Sequence, residues 1–294
     1  MPAETAEMVA AQAEPDVAAR CTGVTKIYWT PTGEVHAVQS IDAVFPAAEV
    51  TAVVGPSGSG KSSLLRMLAA VDRPTAGQVR IADHEIGGMR PTQLRRLRRK
   101  QIGYVFQRPA DNLISYLTVA DHMRLAGRLR RMGRKRTESD AGDLLEALGL
   151  TERRNHLPHQ LSGGEQQRLA FAQVVVGRPA MVVADEPTAE LDSASGQALL
   201  DSIIELARLG TAFVVSTHDP AAVRAADRTL YLRHGALQAE STKGQQHMDL
   251  HDIQPLAVID QSGRIQLPPE ALKLFPARRA VLRWDDDEVR ITPP

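Results

Sequence analysis

Four short apolar runs punctuate the chain between Cys21 and Glu240: VTAVVG (50–55), IGYVFQ (102–107), AMVVAD (180–185) and AFVVST (212–217). The first and the last two are continuously apolar, the pattern of strands buried on both faces of a sheet. Helical stretches lie between them, so the alternation predicts an α/β domain with a largely parallel sheet. It is interrupted once, between the second and third runs, where residues 111–178 read as a long helical block. An inserted helical subdomain is expected there.

The flanks are different. Residues 1–19 are Ala- and Glu-rich with two prolines and predict a disordered leader, and residues 241–254 are polar without periodicity and predict a linker. Residues 255–294 form a compact unit of LAVID, a QSG turn, RIQLP, a short helix in PEALKLF, then AVLRW, DDD and EVRITPP. Two hairpin-like units thus flank one helix. So short a segment buries little core alone, so it is expected to dimerise or dock.

Composition narrows the function classes. The 294-residue chain carries 35 Lys and Arg against 35 Asp and Glu, which argues against general affinity for nucleic acid or acidic surfaces. Cys21 is the single cysteine, so no internal disulfide or Cys-based metal site is expected. No apolar run reaches the ~20 residues that span a bilayer, and the acidic start lacks the features of a signal peptide. The expectation is a soluble, cytoplasmic protein without direct membrane insertion, whose membrane role would come through a partner.

Chemistry concentrates in three places. GPSGSGKS runs from Gly55 through Pro56, Ser57, Gly58, Ser59, Gly60 and Lys61 to Ser62, directly after an apolar strand and before the helical run that starts with Ser63. Its glycines let successive N–H groups curl inward around phosphate, and the following helix adds its positive end. Lys61 would reach the β- and γ-phosphates, and Ser62 would offer its hydroxyl to Mg²⁺. MVVADEP ends a second buried strand in Asp185 and Glu186. Consecutive side chains there point apart, so Asp185 can serve the metal shell while Glu186 orients and deprotonates a water. Third, Ser162, Gly163, Gly164 and Glu165 spell a capping box. A cap needs no glycines, and each costs up to about 1 kcal/mol in a helix. Close approach by another group is the expected reason.

Taken in order, GPSGSGKSS, YVFQ, LSGGEQQR, MVVADEP, AELD and STHD resemble the Walker A loop, Q-loop, signature, Walker B strand, D-loop and H-loop of the nucleotide-binding subunits of ABC transporters, over residues 20–240. The resemblance implies a P-loop cassette with a parallel-sheet core, an antiparallel β subdomain and an inserted helical subdomain. It implies ATP and Mg²⁺ as ligands and hydrolysis as the activity. Gln107 looks like the Q-loop glutamine, which touches the metal or the attacking water. His218 looks like the H-loop switch that holds the γ-phosphate and positions Glu186. Tyr28 stands where the family stacks an aromatic on adenine, with Trp29 beside it as an alternative, and Asp192 looks like the D-loop aspartate at the contact between cassettes. Glu190 departs from the commoner small or amide residue. In the family the signature faces the phosphates of a second copy, so Ser162 to Glu165 would complete the partner's site in a head-to-tail homodimer.

Among such cassettes, YWTPTGEVHAVQSI, LRRLRRKQIGYVFQ and SGGEQQRLAFA resemble the subfamily serving lipoprotein release, macrolide export and FtsE-type division. The implied partner is an integral membrane permease of FtsX or MacB type. The expected location is the inner face of the cell membrane, reached through that permease. An FtsE-like regulatory ATPase that moves no cargo is the alternative. The loop RPADNLISY is longer than usual, which points to Asp111, Asn112 and Leu113 as permease contacts. The basic runs 94–100 and 128–136 lie on helices with spaced apolar residues and lack interleaved aromatics, so they read as solvated faces and no nucleic-acid partner is expected. VIDQSGRIQLPPEALKLF resembles the swapped-hairpin domains of AbrB, SpoVT and MazE type. Its six basic and six acidic residues within 255–294 suit a dimerisation clasp better than a DNA reader.

Overall fold

The computed structural model describes residues 16–31, 33–243, 275, 279–285 and 288–292. The chain opens with the antiparallel pair β1 (Val17–Thr30) and β2 (Gly33–Pro46), and β3 (Val50–Val54) then leads through the phosphate-loop sequence into α1 (Lys61–Leu68). Next, β4 (Ala76–Ile81) pairs with β1 and carries β5 (His84–Glu85), completing an antiparallel sheet in the order β2-β1-β4-β5. After α2 (Pro91–Gln101) and β6 (Ile102–Val105) come α3 (Pro109–Asn112), α4 (Val119–Leu129), α5 (Arg134–Ala147) and α6 (Gly163–Val175). These four helices form the inserted subdomain. The chain then alternates through β7 (Met181–Asp185), α7 (Ser193–Arg208), β8 (Ala212–Ser216), α8 (Pro220–Ala225), β9 (Arg228–Arg233) and β10 (Ala236–Thr242).

The second sheet has the order β10-β9-β3-β8-β7-β6, parallel throughout except for the β9–β10 edge. Its central strands explain their continuous hydrophobicity. Val53, Val183 and Val214 join one core with Phe45, Leu64 and Leu68, whereas their neighbours Ala52, Val182 and Phe213 join another with Phe171 and Leu199. Successive strand residues point to opposite faces, and here both faces are covered. Each large side chain fully buried this way stabilises the fold by about 1.5–3 kcal/mol.

One arginine joins the inserted helices to the sheet. Arg130, at the end of α4, donates to the carbonyls of Arg99 (3.1 Å), Lys100 (3.2 Å), Ile102 (3.4 Å) and Val174 (2.6 Å). It thereby collects free carbonyls from the C-terminal ends of α2 and α6, where a cation also meets the negative end of each helix dipole. Burial pushes its pKa down to about 10, so the group remains charged at neutral pH.

Three expected boundaries move. β1 begins at Val17, with Ala18 and Ala19 buried, so the end of the stretch read as leader (1–19) is strand. β10 runs through Thr242 with Ser241 buried, which takes the start of the expected linker (241–254) into the sheet. Strand β6 stops at Val105 because the Phe106 N–H donates to the Asn112 side chain (2.8 Å) rather than continuing the ladder. Near the C-terminus, β11 (Val281–Asp285) and β12 (Glu288–Thr292) pair antiparallel, as AVLRW and EVRIT predicted. The first hairpin of that segment, the helix expected before Phe275, and residues 1–15 and 244–254 lie outside the described residues.

Candidate nucleotide site

The loop between β3 and α1 takes the form its glycines demand. Gly55, Gly58 and Gly60 have φ values of 152°, 76° and 102°, in the left-handed half of backbone space where a side chain is strained. Gly55 and Gly60 are also fixed by space. A Cβ on Gly55 would lie 2.1 Å from the Leu232 carbonyl oxygen, and one on Gly60 would lie 2.2 Å from that of Ala37. Lys61 donates to the carbonyls of Gly55 (2.7 Å) and Pro56 (3.1 Å), folding its ammonium over the loop. The Ser59 hydroxyl is buried without a hydrogen-bond partner among the described residues. Curled backbone, uncommitted hydroxyl and overhanging cation are what an oligophosphate needs.

Asp185 and Glu186 are oriented by Ser216, at the end of the adjacent strand β8. The Ser216 hydroxyl donates to Asp185 and accepts from the Glu186 N–H (3.1 Å), which also donates to the Ser216 carbonyl (3.0 Å). These bonds hold Glu186 at φ 45°, a conformation that costs a non-glycine residue about 1–3 kcal/mol. The turn swings its carboxylate away from Asp185 and toward His218, whose Nε2 lies 3.0 Å from Glu186 Oε1. Asp185, Glu186 and His218 are therefore brought together at the ends of two neighbouring strands, β7 and β8. Ser216 was not among the expected site residues, although a polar residue closing the buried run AFVVS was a usable signal.

Tyr28 and Trp29 separate clearly. Trp29 is 77% exposed, whereas the Tyr28 hydroxyl donates to Asp72 (2.8 Å), which also takes Arg66 Nε of α1 (2.8 Å). That hydrogen bond with Arg66 holds the Asp72 carboxyl below its ordinary value, and Tyr28 is raised, chiefly by burial. Ser63 lies within hydrogen-bonding reach of Tyr28, so the ring is anchored at the start of α1, beside the phosphate loop. Lys26 sits over the same ring, 5.0 Å from its centre.

Gln107 lies two residues beyond β6 and is exposed. Its loop is tied by Asn112, which accepts from Phe106 N–H and donates to the carbonyls of Phe106 (3.0 Å) and Arg108 (2.8 Å). The Asn112 amide is thus occupied inside the loop. Arg108 in turn lies 3.7 Å from Glu190, linking this loop to the turn that follows Glu186.

The signature forms the predicted cap. Ser162 Oγ accepts from Glu165 N–H (3.2 Å), Glu165 accepts from Ser162 N–H (2.8 Å), and Arg153 pairs with Glu165 (2.9 Å). Its two glycines have different causes. A Cβ on Gly164 would sit 3.1 Å from Ser195 of α7, so that glycine permits internal packing. A Cβ on Gly163 would meet nothing nearer than Leu191 at 3.9 Å. Asp192 caps α7 by accepting from the N–H groups of Ala194 and Ser195 (both 3.0 Å), which holds its carboxyl below the ordinary value.

This arrangement defines a P-loop nucleotide-hydrolysing cassette, and comparison with known proteins agrees. The family profile described as ABC transporter matches residues 38–189. The lipoprotein-releasing system ATP-binding protein LolD of Shewanella sp. (strain MR-4) is 36% identical over 231 residues, covering 78% of this chain and 99% of that protein. The macrolide export ATP-binding/permease protein MacB of Salmonella choleraesuis (strain SC-B67) is 36% identical over 225 residues, covering 74% of this chain and 34% of that longer protein. Among solved structures, the dimeric post-hydrolysis state of the ATP-binding cassette MJ0796 bound to ADP and Pi superposes with a TM-score of 0.67 at 32% identity, covering 76% of this chain and 98% of that one. The chain belongs to the ABC transporter family, as an ATP-binding cassette with ATPase activity close to the LolD and MacB type. Among the described residues, no helix is long and apolar enough to cross a membrane.

Proposed function

We propose that two copies of this chain close head to tail over two ATP molecules and drive a separate membrane permease of the lipoprotein-release or macrolide-export type. The observation that carries the dimer is the contrast at the signature: Gly164 is filled by the chain's own Ser195, while Gly163 presents bare helix start to the outside. A helix N-terminus without side chains suits phosphate, and the phosphate that reaches it comes from the partner's cradle of Gly55 to Ser62. MJ0796 is dimeric with ADP and Pi bound, which supports this reading.

In the closed site Lys61 moves from the loop carbonyls to the β- and γ-phosphates, and Tyr28 supports the adenine. Ser62, Asp185 and Gln107 offer hydroxyl, carboxylate and amide oxygens, a hard donor set that fits Mg²⁺. Held there, the ion would supply positive charge against the phosphates. Glu186 takes the proton of the attacking water, and His218 keeps that carboxylate aimed while contacting the γ-phosphate.

The permease would dock in the groove between β6 and the inserted helices, a cavity of about 350 Å³ lined by Tyr104, Ile114, Leu125, Ala126 and Leu129. Phe106, 51% exposed and in ring contact with Tyr104, extends its apolar surface, and Tyr116, 78% exposed, follows two residues after Ile114 in sequence. LolD is named for a lipoprotein-releasing system and MacB combines cassette and permease in one chain, so a FtsX- or MacB-like permease is the partner proposed and the inner membrane face the location. The C-terminal segment is proposed as a clasp between the two copies. A chain ending at Lys243 should lose nucleotide-free self-association.

Complementation tests the dimer. Ser162→Arg and Lys61→Ala chains should each be inactive alone, yet mixing them should restore hydrolysis, because one of the two shared sites then has an intact phosphate loop and an intact signature. Failure of the mixture to recover activity would overturn the head-to-tail arrangement. Co-purification with the neighbouring membrane protein, and loss of stimulated ATPase in Tyr116→Asp, tests the docking groove.

A further inference from the structure

Between Asp121 and Glu138 the sequence has seven Lys or Arg and no acid, on a chain whose charges balance only as a whole. Arg130 is turned inward on carbonyls. Three of the remaining cations line a cleft of about 480 Å³ between α4 and α5: Arg124 and Arg128 from α4 and Arg134 from α5, with Met132 from the connecting turn. Asp121, Arg124 and Arg128 recur at three- and four-residue spacing along one face of α4, so their side chains converge on the cleft.

The two carboxylates in the cleft are already paired, Asp121 with Arg124 and Glu138 with Arg134, each at 2.8 Å. Arg128 has no carboxylate partner among the described residues. The cleft therefore keeps an uncompensated guanidinium between two held ones, and Lys135 and Arg136 extend the same positive field. Guanidinium forks match tetrahedral oxyanions, and the volume falls within the roughly 300–1,000 Å³ of small-ligand sites.

We propose that this cleft binds a phosphate ester, either the headgroup of an acidic phospholipid or a soluble ester. Arg128 is its principal contact and Arg124 the second, exchanging part of its bond to Asp121 for the ligand. Met132 supplies an apolar wall for the glycerol carbons. The site is separate from the nucleotide cradle and is independent of which permease the cassette serves.

The full chain, with ADP saturating the cradle, is assayed for sedimentation with vesicles of phosphatidylcholine alone or mixed with phosphatidylglycerol, and by calorimetry with glycerol 1-phosphate. Arg124→Gln/Arg128→Gln is compared with Arg95→Gln/Arg96→Gln, which removes the same charge from exposed positions on α2. The chain should bind the phosphatidylglycerol vesicles and not the neutral ones. Affinity should fall about fivefold for each cleft cation removed, and much less for the α2 variant. Arg128→Gln alone, which breaks no ion pair, should show the single step with an unchanged melting temperature. Binding of glycerol 1-phosphate that the cleft variants abolish, without vesicle binding, would also support the site and assign the soluble ester as its ligand. No binding of either probe, or equal losses in the cleft and α2 variants, would overturn it.

Discussion

His218 Nε2 stands 3.0 Å from Glu186 Oε1, so the residue proposed to contact the γ-phosphate and the residue proposed to deprotonate water touch each other. Glu186→Gln removes the base but keeps the shape, and should lower kcat by about 10²–10⁴-fold while ATP still binds. His218→Ala should also depress kcat, leaving Glu186 in place but free to turn. Single-turnover hydrolysis with separate nucleotide-binding measurements distinguishes the two effects from a lost site.

Ser216→Ala keeps the carbonyl that holds Glu186 but removes the hydroxyl shared with Asp185. Losing a hydrogen bond to a charged group, worth about 1.5 kcal/mol at the low end, corresponds to about tenfold in rate if it is felt in the transition state. The expected signature is a raised Mg²⁺ requirement together with the lower kcat. An unchanged metal titration would argue that Ser216 only packs.

The two signature glycines should respond oppositely. Gly164→Val forces carbon against Ser195, which a Cβ would already approach to 3.1 Å, and overpacking of this kind costs about 1–3 kcal/mol. Gly163→Val meets open space and should leave the melting temperature of the nucleotide-free chain near wild type, yet block ATP-driven dimerisation. Thermal melts and size-exclusion chromatography with ATP read the two outcomes.

His122 is 1% exposed, donates through Nδ1 to the Thr118 carbonyl (2.8 Å) and accepts at Nε2 from the Ile114 N–H (2.8 Å). A second proton would set donor against donor at Nε2. Burial lowers its pKa below the ordinary 6.5, against opposing effects of Thr118 and Asp121. Because the unfolded chain binds that proton first, the stabilisation is whole above about pH 6.5 and declines as pH falls toward the folded value. The protection factor of the Ile114 amide should fall over that interval, and His122→Gln should flatten the response.

Much of the site was legible because its chemistry is written in contiguous stretches. Gly55 to Ser62 and the run ending in Asp185 each combine a buried strand with the groups it delivers, so sequence order and spatial order coincide. The parallel core was legible for the same reason: both faces of β3, β7 and β8 are covered, which removes polar positions from the runs. The long pair β1 and β2 left no comparable signal. Its register shifts at several points and its outer half is solvated, so no strict alternation appears. Ser216 and Asp72 act across strands and helices distant in sequence, and Glu186 has a backbone angle that no residue type announces. The signature glycines were read together as one ligand-facing pair, whereas space around Gly164 is taken by Ser195.

Among the described residues, Arg130 braces the wall of the groove beside β6 through four carbonyls and no carboxylate. Exposed ion pairs such as Arg134 with Glu138 weaken as ionic strength rises, because mobile ions screen them. A half-buried guanidinium held by backbone dipoles has less to lose in that way. The junction between the inserted helices and the sheet should therefore hold in concentrated salt, when the bridges on the surface around it have faded.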